Sequence, residues 1–277
     1  MVLTMSDLPR HTDFSQGSDP LDQTIETTIP VKKPAADLPS DDFFKRTGFK
    51  PIYATGSEGD TLAGRVEGIH VFGGLHHESK TIDRLFDAIR RYEPDVIAPE
   101  ACDKAIRQHN PETLNLEWPP DHEVQAASFA TEHTDDLSIA GIDLPAYQRS
   151  RESGNEKFVQ ADGEIFTEFG LIESPDELTL DTYYQLDREL IREWRDKTRE
   201  RIPELFKQVI QIRDDVMAGR LYELYHKDDV ETVVAVVGVE HLTGILDRLQ
   251  APNRIPDTRF ECPEVYTFEP SERIWIY

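Results

Sequence analysis

Residues 230–249, VETVVAVVGVEHLTGILDRL, carry the strongest fold signal in the chain. The valine-rich run Val230–Val237 indicates a strand that is buried on both faces, as in a parallel sheet. The turn Gly238-Val239-Glu240-His241 follows, and an amphipathic helix is predicted after it because apolar residues recur at helical spacing, namely Leu242, Ile245, Leu246 and Leu249. A buried strand that turns directly into a helix is typical of an α/β protein.

The same pattern occurs earlier in the chain. Ile69–Phe72 is predicted to be a strand that ends in Gly73-Gly74-Leu75-His76, and helical periodicity then runs from Ser79, the expected N-cap, to Tyr92. The next strand is predicted at Val96–Ala98. Strand, helix and strand in this order predict a crossover unit with parallel strands. We therefore predict an α/β fold in which helices flank a mostly parallel central sheet.

Helical segments fill much of the remaining sequence. A helix from about residue 121 to 132 is expected to lead into a strand at Ser138–Ile142. Apolar residues recur at helical spacing between Leu186 and Leu221, with an interruption at Pro203. This pattern predicts a long helical segment before the last core strand.

The two ends and the middle of the chain differ from this pattern. Residues 1–45 are rich in Asp, Pro, Ser and Thr, which predicts a disordered acidic tail, and residues 46–277 are predicted to form one α/β domain. Two short closing strands are expected at an edge, at Val265–Phe268 and Ile274–Ile276. The polar residues 148–180 fit a lid, an insertion or a surface loop equally well.

Acidic residues dominate the composition and exclude several functions. The chain of 277 residues carries 54 Asp and Glu against 30 Lys and Arg, for a formal net charge of −24. Nucleic acids and anionic membrane surfaces bind clustered basic residues, so neither is an expected partner. Arginine outnumbers lysine, and such a surface suits a salt-rich cytoplasm, although an ordinary acidic protein remains the alternative.

The cysteines and the N-terminus indicate the cellular compartment of the protein. Cys102 and Cys262 are the only cysteines, which argues against a disulfide framework. Residues 1–16 lack the apolar segment of a signal peptide, and no apolar run is long enough to span a bilayer. We therefore expect a cytoplasmic protein.

Histidines and carboxylates follow the predicted strands at equivalent positions. His76 and His241 each end a glycine turn, and Glu100 and Asp143 each come directly after a strand. Ligands of open parallel sheets collect at these carboxyl ends, and imidazole with carboxylate is a donor set for a divalent metal. Taken singly, each histidine could instead be a capping or hydrogen-bonding residue.

Two further residues are charged but fall on apolar helical faces. Arg213 shares the stripe of Val209 and Val216, so its guanidinium should face inward and needs an anionic partner. That partner could be a core carboxylate or a substrate. Glu123 shares a face with Ala126, which favours burial, although a glutamate in the first turn also interacts favourably with the helix dipole.

Four stretches resemble the TraB/PrgY/GumN family, which is similar to the Tiki and erythromycin-esterase-like group. They are VFGGLH at 71–76, YEPDVIAPE at 92–100, IRDDVMA at 212–218 and VAVVGVEHLTGI at 234–245, and they occur in the family's order. The sequence has no Rossmann, Walker or G-x-S-x-G motif and no H-E-x-x-H.

The resemblance implies paired G-x-x-H motifs, an acid after the second strand and a late arginine that converge on one site. It marks His76, Glu100, Arg213 and His241, with Glu123 as a weaker match. Tiki-like members are metal-dependent peptidases, and PrgY-like members are linked to shutting down a peptide pheromone. Gly74 stands where the family usually has Thr, and Glu240 stands where a small Gly is common.

The leading hypothesis is a metal-dependent hydrolase of peptide or amide bonds. A divalent ion such as manganese, cobalt or zinc would be held by His76, His241 and Glu100. Glu123 or Glu240 would act as general base, and Arg213 would bind a substrate carboxylate or stabilise the oxyanion. The alternatives are a non-catalytic peptide-binding or pheromone-shutdown-type regulatory protein, and a structural domain in which these side chains form a satisfied polar core.

Overall fold

The computed structural model describes residues 62–114, 122–145 and 155–269. The predicted tail at 1–45 and the predicted strand at 274–276 lie outside these residues. In chain order the main elements are β1 (Ala63–Val66), β2 (Ile69–Gly74), α1 (Ser79–Tyr92), β3 (Val96–Pro99), α2 (Asp103–Gln108), α3 (Glu123–Glu132), β4 (Ser138–Ala140), α4 (Asn155–Glu168), α5 (Leu180–Tyr183), α6 (Arg188–Arg201), α7 (Pro203–Phe206), α8 (Ile212–Tyr225), β5 (Val233–Gly238), α9 (Val239–Gln250) and β6 (Val265–Tyr266). A π-helical turn, Lys207–Gln211, joins α7 to α8.

Six strands form one mixed sheet in the order β1-β2-β5-β3-β4-β6. The four inner strands are parallel, whereas β1 and β6 pair antiparallel at the two edges. The structure thus confirms an α/β fold with a mostly parallel sheet flanked by helices. The predicted closing strand at Val265–Phe268 is present as the shorter edge strand β6.

Strand β5 separates two hydrophobic cores because its side chains alternate between the faces of the sheet. Val233, Ala235 and Val237 pack in one core with residues of α6, α8 and α9. Val234 and Val236 pack in the other core with residues of α1 and α3. All six residues of β5 are buried, which explains why this segment is apolar throughout.

Helix α4 occupies part of the region that the sequence left undecided. Ile165 and Phe166 are fully buried, and the Phe166 ring packs against the Trp194 ring with centroids 5.6 Å apart. Gly163 allows Pro175 to approach, because a Cβ atom at this position would lie 2.9 Å from the Pro175 Cβ. The helical signal was obscured by this glycine and by the surrounding polar residues.

Several predicted boundaries shift by a few residues. Helix α1 begins at Ser79, so Glu78 rather than Ser79 is the N-cap residue. Pro203 interrupts the helical segment at the expected position, where α6 ends and the short helix α7 begins. Among the residues that the structure describes, no helix is both long and apolar enough to cross a membrane.

Candidate functional site

Three adjacent parallel strands bring the predicted residues to one edge of the sheet. The pairing of β2 with β5 ends at Gly74 and Gly238, so His76 and His241 leave the sheet at neighbouring positions. Strand β3 lies on the other side of β5, and Glu100 directly follows its last residue. The register of the sheet therefore places two imidazoles and one carboxylate around the same two glycine turns.

Glu100 lies at the centre of this cluster and is 6% exposed. Its Oε2 accepts a 2.5 Å hydrogen bond from the Gly238 backbone N–H. Its Oε1 is paired with the Arg213 guanidinium and lies 3.4 Å from His76 Nε2 and 3.8 Å from His241 Nε2. Burial raises the pKa of this carboxyl, but the neighbouring charges, that of Arg213 first, outweigh burial and hold the pKa well below its usual value. The surroundings of Glu100 therefore favour its ionised form.

Each histidine contacts a second carboxylate through its other ring nitrogen. His76 Nδ1 lies 2.5 Å from Glu123 Oε1, and His241 Nδ1 lies 2.6 Å from Asp214 Oδ1. Because an ionised carboxylate only accepts, these contacts assign the Nδ1 proton to both rings and leave Nε2 to face Glu100. His241 Nε2 is buried and has no hydrogen-bond partner among the described residues. The two rings are thus held in one orientation with Nε2 pointing into the site.

Arg213 faces inward, as its helical position predicted, and its partners are two carboxylates of the chain. Its Nε and Nη2 donate to Asp143 at 3.1 and 2.9 Å, and Nη2 also contacts Glu100. Asp143 is completely buried. This is the core ion pair that the sequence left open as one alternative, and it neutralises much of the negative charge beneath the histidines.

Glu123 is also turned inward, with 5% of the residue exposed. His122 occupies the N-cap of α3, where its Nδ1 accepts a hydrogen bond from the Gln125 backbone N–H. Glu123 Oε1 contacts His76 Nδ1, on the side of the ring opposite to the Nε2 atom that faces the site. Glu123 therefore orients His76 and does not face the space between the two histidines.

Asp214 belongs to the site, although sequence reasoning missed it. It is completely buried, and its Oδ2 accepts a 2.5 Å hydrogen bond from Arg195 and lies 3.4 Å from Arg248 Nη1. Gly244 provides the necessary space, because a Cβ atom there would lie 2.7 Å from the Asp214 Cγ. A glycine in the interior of a predicted helix was the one available signal that another group packs closely against it.

The exposed part of the site lies at His76 and Glu240. Their side chains are 29% and 28% exposed, whereas those of Glu100 and His241 are 2% and 0% exposed. Glu240 Oε1 lies 3.8 Å from His241 Nε2. Gly238 makes this position possible, since a Cβ atom there would lie 2.7 Å from Glu240 Oε2. A ligand would therefore reach the histidines from the side of Glu240.

The donor atoms fit a divalent metal in type, but their spacing is wider than a formed metal site requires. A tetrahedral site with bonds of about 2.0–2.1 Å needs donors about 3.3 Å apart, and the distances from the imidazole Nε2 atoms to the nearest carboxylate oxygens are 3.4 to 3.8 Å. A carboxylate behind each imidazole is the usual support of metal-bound histidine. The unpartnered Nε2 of His241 also fits a ligand role. Glu100 Oε1 lies near both Nε2 atoms and also contacts Arg213.

Within residues 62–114, 122–145 and 155–269, no group of three or more His, Cys, Asp or Glu side chains is arranged closely enough to form a metal site in advance.

The chain matches no protein-family model, and it matches no curated protein. The fold and the paired histidines therefore define the molecule only as an α/β protein with a buried histidine and carboxylate cluster at the carboxyl ends of its strands.

Replacing Glu123 with Gln is expected to lower the free energy of unfolding by about 3 kcal/mol near neutral pH and by little near pH 2. Burial raises the pKa of Glu123, but the charge and hydrogen bond of His76 outweigh burial and lower that pKa from 4.5 to about 2. A lowered folded-state pKa contributes stability that is present above pH 4.5 and is lost as the pH falls towards 2.

The partner histidine limits the same contribution at high pH. Burial lowers the pKa of His76, but Glu123 and Glu100 raise it well above 6.5. The stabilisation that charged His76 provides is therefore fully present below pH 6.5. It is lost as the pH rises through the raised pKa of His76. Urea denaturation at constant KCl across this pH range measures the difference. Glu189→Gln, at an exposed position on α6, is the control, and an equal loss at every pH for Glu123→Gln would contradict the prediction.

Proposed function

We propose that the protein is a metal-dependent hydrolase of peptide or amide bonds, related to the TraB/PrgY/GumN proteins. The observation that supports this most is the convergence of two imidazole Nε2 atoms on Glu100, with a carboxylate behind each ring. Side chains that are locked on their far side are typical of a preorganised reaction site. The acidic composition supports a salt-rich cytoplasm as the place where the protein acts.

His76, His241 and Glu100 would hold a divalent ion such as manganese, cobalt or zinc. When bound, such an ion supplies an activated water and polarises a carbonyl group. Asp214 and Glu123 hold the rings through Nδ1, so both Nε2 atoms are directed to the same place, and a bound metal would displace the proton that His76 carries there. This arrangement would reduce the reorganisation that binding requires.

Of Glu123 and Glu240, the geometry favours Glu240 as the general base. Its carboxylate is partly exposed and lies near His241 Nε2, so it can take a proton from a water that attacks the substrate. Glu123 is a positioning residue in this scheme, because its oxygen binds the far side of the His76 ring. Arg213 holds Glu100 in place and offsets its charge, and a direct contact with substrate is not needed.

A non-catalytic peptide-binding protein is the second candidate, and the Glu100 environment favours it. Both carboxylate oxygens of Glu100 are already engaged, one by Gly238 and the other by Arg213. A peptide could then bind over the exposed edges of His76 and Glu240 without a reaction. The two candidates differ in whether bound peptide is cleaved.

Metal content and peptide cleavage, measured together, test the proposal. The full chain is purified in concentrated KCl, loaded with manganese, cobalt or zinc, assayed by elemental analysis and incubated with a peptide library. We expect about one metal ion per chain and cleavage, with His76→Ala losing both by at least about tenfold to a hundredfold. His226→Ala is the matched control, because His226 is exposed at the end of α8 and contacts Tyr222 and Tyr225 of its own helix.

Glu240→Gln separates the base from the ligands. It is expected to lower the rate of cleavage by about a hundredfold or more at saturating metal. Peptide binding without cleavage in the wild type would support the second candidate instead. Absence of stoichiometric metal, together with His76→Ala that behaves like the wild type, would refute the hydrolase proposal.

A further inference from the structure

A second cluster of charged side chains lies in a pocket of about 650 Å³, on the far side of Asp214 from His241. Helices α6 and α9, the start of α8 and the turn after α9 surround it. Five arginines line this pocket, namely Arg192, Arg195, Arg199, Arg248 and Arg254, and only three aspartates accompany them. With the buried Asp214, which contacts Arg195 and Arg248, five arginines face four aspartates, which is an excess of one positive charge in a protein whose net charge is −24.

Three of these arginines can turn to a ligand without disturbing buried structure. Arg199 pairs with Asp196 at 3.0 Å, but both side chains are more than half exposed, and such pairs contribute little to stability. Arg192 pairs with Asp247 in a similarly exposed position. Arg254 is exposed and has no ion pair with another described residue. Their donors are therefore available at the mouth of the pocket.

Two features of the pocket are organised in advance. Phe206 lies under two guanidinium groups, with its ring centroid 5.4 Å from the Arg195 Cζ and 5.1 Å from the Arg199 Cζ. Thr243 also lines the pocket, is 1% exposed, and has a hydroxyl without a hydrogen-bond partner among the described residues. A buried hydroxyl without a partner is unfavourable unless a ligand or water satisfies it.

We propose that this arginine pocket binds the phosphate group of a small molecule. Arginine forks match the tetrahedral phosphate oxygens, and the Thr243 hydroxyl would supply one more hydrogen bond. The volume lies within the range of small-molecule sites, about 300–1,000 Å³, and exceeds what a lone phosphate fills. A phosphate monoester therefore fits better than free phosphate.

This site does not depend on the proposed hydrolase activity. Arg195 and Arg248 line the pocket and also hold Asp214, the carboxylate behind His241. For that reason the test uses arginines at the mouth, whose replacement leaves Asp214 and the histidines unchanged. The test measures a binding constant for phosphate, so its outcome is independent of the cleavage and metal-content assays.

Isothermal titration calorimetry of the full chain at constant KCl, with phenyl phosphate, inorganic phosphate and acetate as probes, tests the site. We expect saturable binding of one phenyl phosphate per chain, weaker binding of inorganic phosphate and no measurable binding of acetate. The Arg199→Ala/Arg254→Ala double variant should bind phenyl phosphate at least about tenfold more weakly. Arg188→Ala is the matched control, because Arg188 is exposed on the same helix and lies outside the pocket.

Thr243→Val provides a second variant that keeps the fold. It removes the hydroxyl without changing the shape, so we expect weaker phosphate binding with an unchanged or higher free energy of unfolding. Binding of inorganic phosphate as tightly as phenyl phosphate would support the site with free phosphate as its ligand. No saturable binding of either phosphate, equal binding of acetate, or a double variant that binds like the wild type would each overturn the proposal.

Discussion

Arg213→Met is expected to lower the free energy of unfolding by about 3–5 kcal/mol, because it leaves two buried carboxylates without their cation. Glu100 and Asp143 are 6% and 0% exposed and both pair with this guanidinium. The charges of these carboxylates raise the pKa of Arg213 above its usual value despite burial, so the cation is present at every accessible pH. Methionine fills a similar volume, which keeps the effect electrostatic.

The pH and salt dependence identify the origin of this loss. Without Arg213, protonation of the two carboxyl groups lowers the free-energy cost of burying them. The destabilisation should therefore be larger at alkaline than at acidic pH. A buried pair is little screened, so the loss should persist in concentrated KCl. Urea denaturation at fixed KCl measures both dependences, because urea does not change the ionic strength.

Arg220→Met is the matched control for Arg213→Met. Arg220 is equally buried on the same helix, but it donates to the backbone carbonyl of Asp143 and pairs with the exposed Glu261. We expect a smaller loss for Arg220→Met. The double variant Arg213→Met/Asp143→Asn should lose less than the sum of its two single variants. Strict additivity of the two changes would refute the ion-pair account.

Asp214→Asn is expected to lower metal affinity and cleavage by about tenfold to a hundredfold, and stability by about 3 kcal/mol. Asp214 holds the His241 ring and also accepts from Arg195. Burial raises the pKa of Asp214, but the charge of Arg195 and the contact with His241 outweigh burial and lower it. The neutral amide keeps the shape and removes the charge, and its NH₂ group cannot accept from the guanidinium.

Asp215→Asn separates this effect from a general loss of acidic charge. Asp215 is the next residue on α8 and pairs only with Arg248 among the described residues, at 2.6 Å and with 15% of each side chain exposed. We expect a smaller loss of stability than for Asp214→Asn, because this pair is less buried, and no change in cleavage. The NMR signals of the His241 ring provide a readout of orientation, and they should move in Asp214→Asn alone. Equal effects of the two substitutions would argue against a positioning role for Asp214.

Sequence reasoning reached the inner strands because their signals are local. The run Val233–Gly238 is apolar at every position since both faces of β5 are covered, and the glycine turn after it is visible without a structure. His76, Glu100 and His241 were singled out because each follows a strand. Helix α4 was not recognised, because its buried residues Ile165 and Phe166 are interrupted by polar residues and by Gly163.

The partners of these residues were less accessible from sequence. The helical phase predicted that Arg213 faces inward, and a buried arginine needs an anionic partner. The sequence did not distinguish a carboxylate of the chain from a substrate as that partner. Asp214 was passed over because it follows Arg213 and is one of many acids in the chain. Its role depends on Arg195 and His241, which come from two other helices.

The sequence by itself determined the α/β class, the order of the inner strands and helices along the chain, and the turns that carry His76 and His241. These follow from the period of apolar side chains within one element, which is set by neighbours a few residues away. Only the tertiary structure decided that Glu123 and Asp214 orient the two histidines and that five arginines line one pocket. Burial forces charged groups to find partners, but which partner is reached depends on how distant segments pack in space.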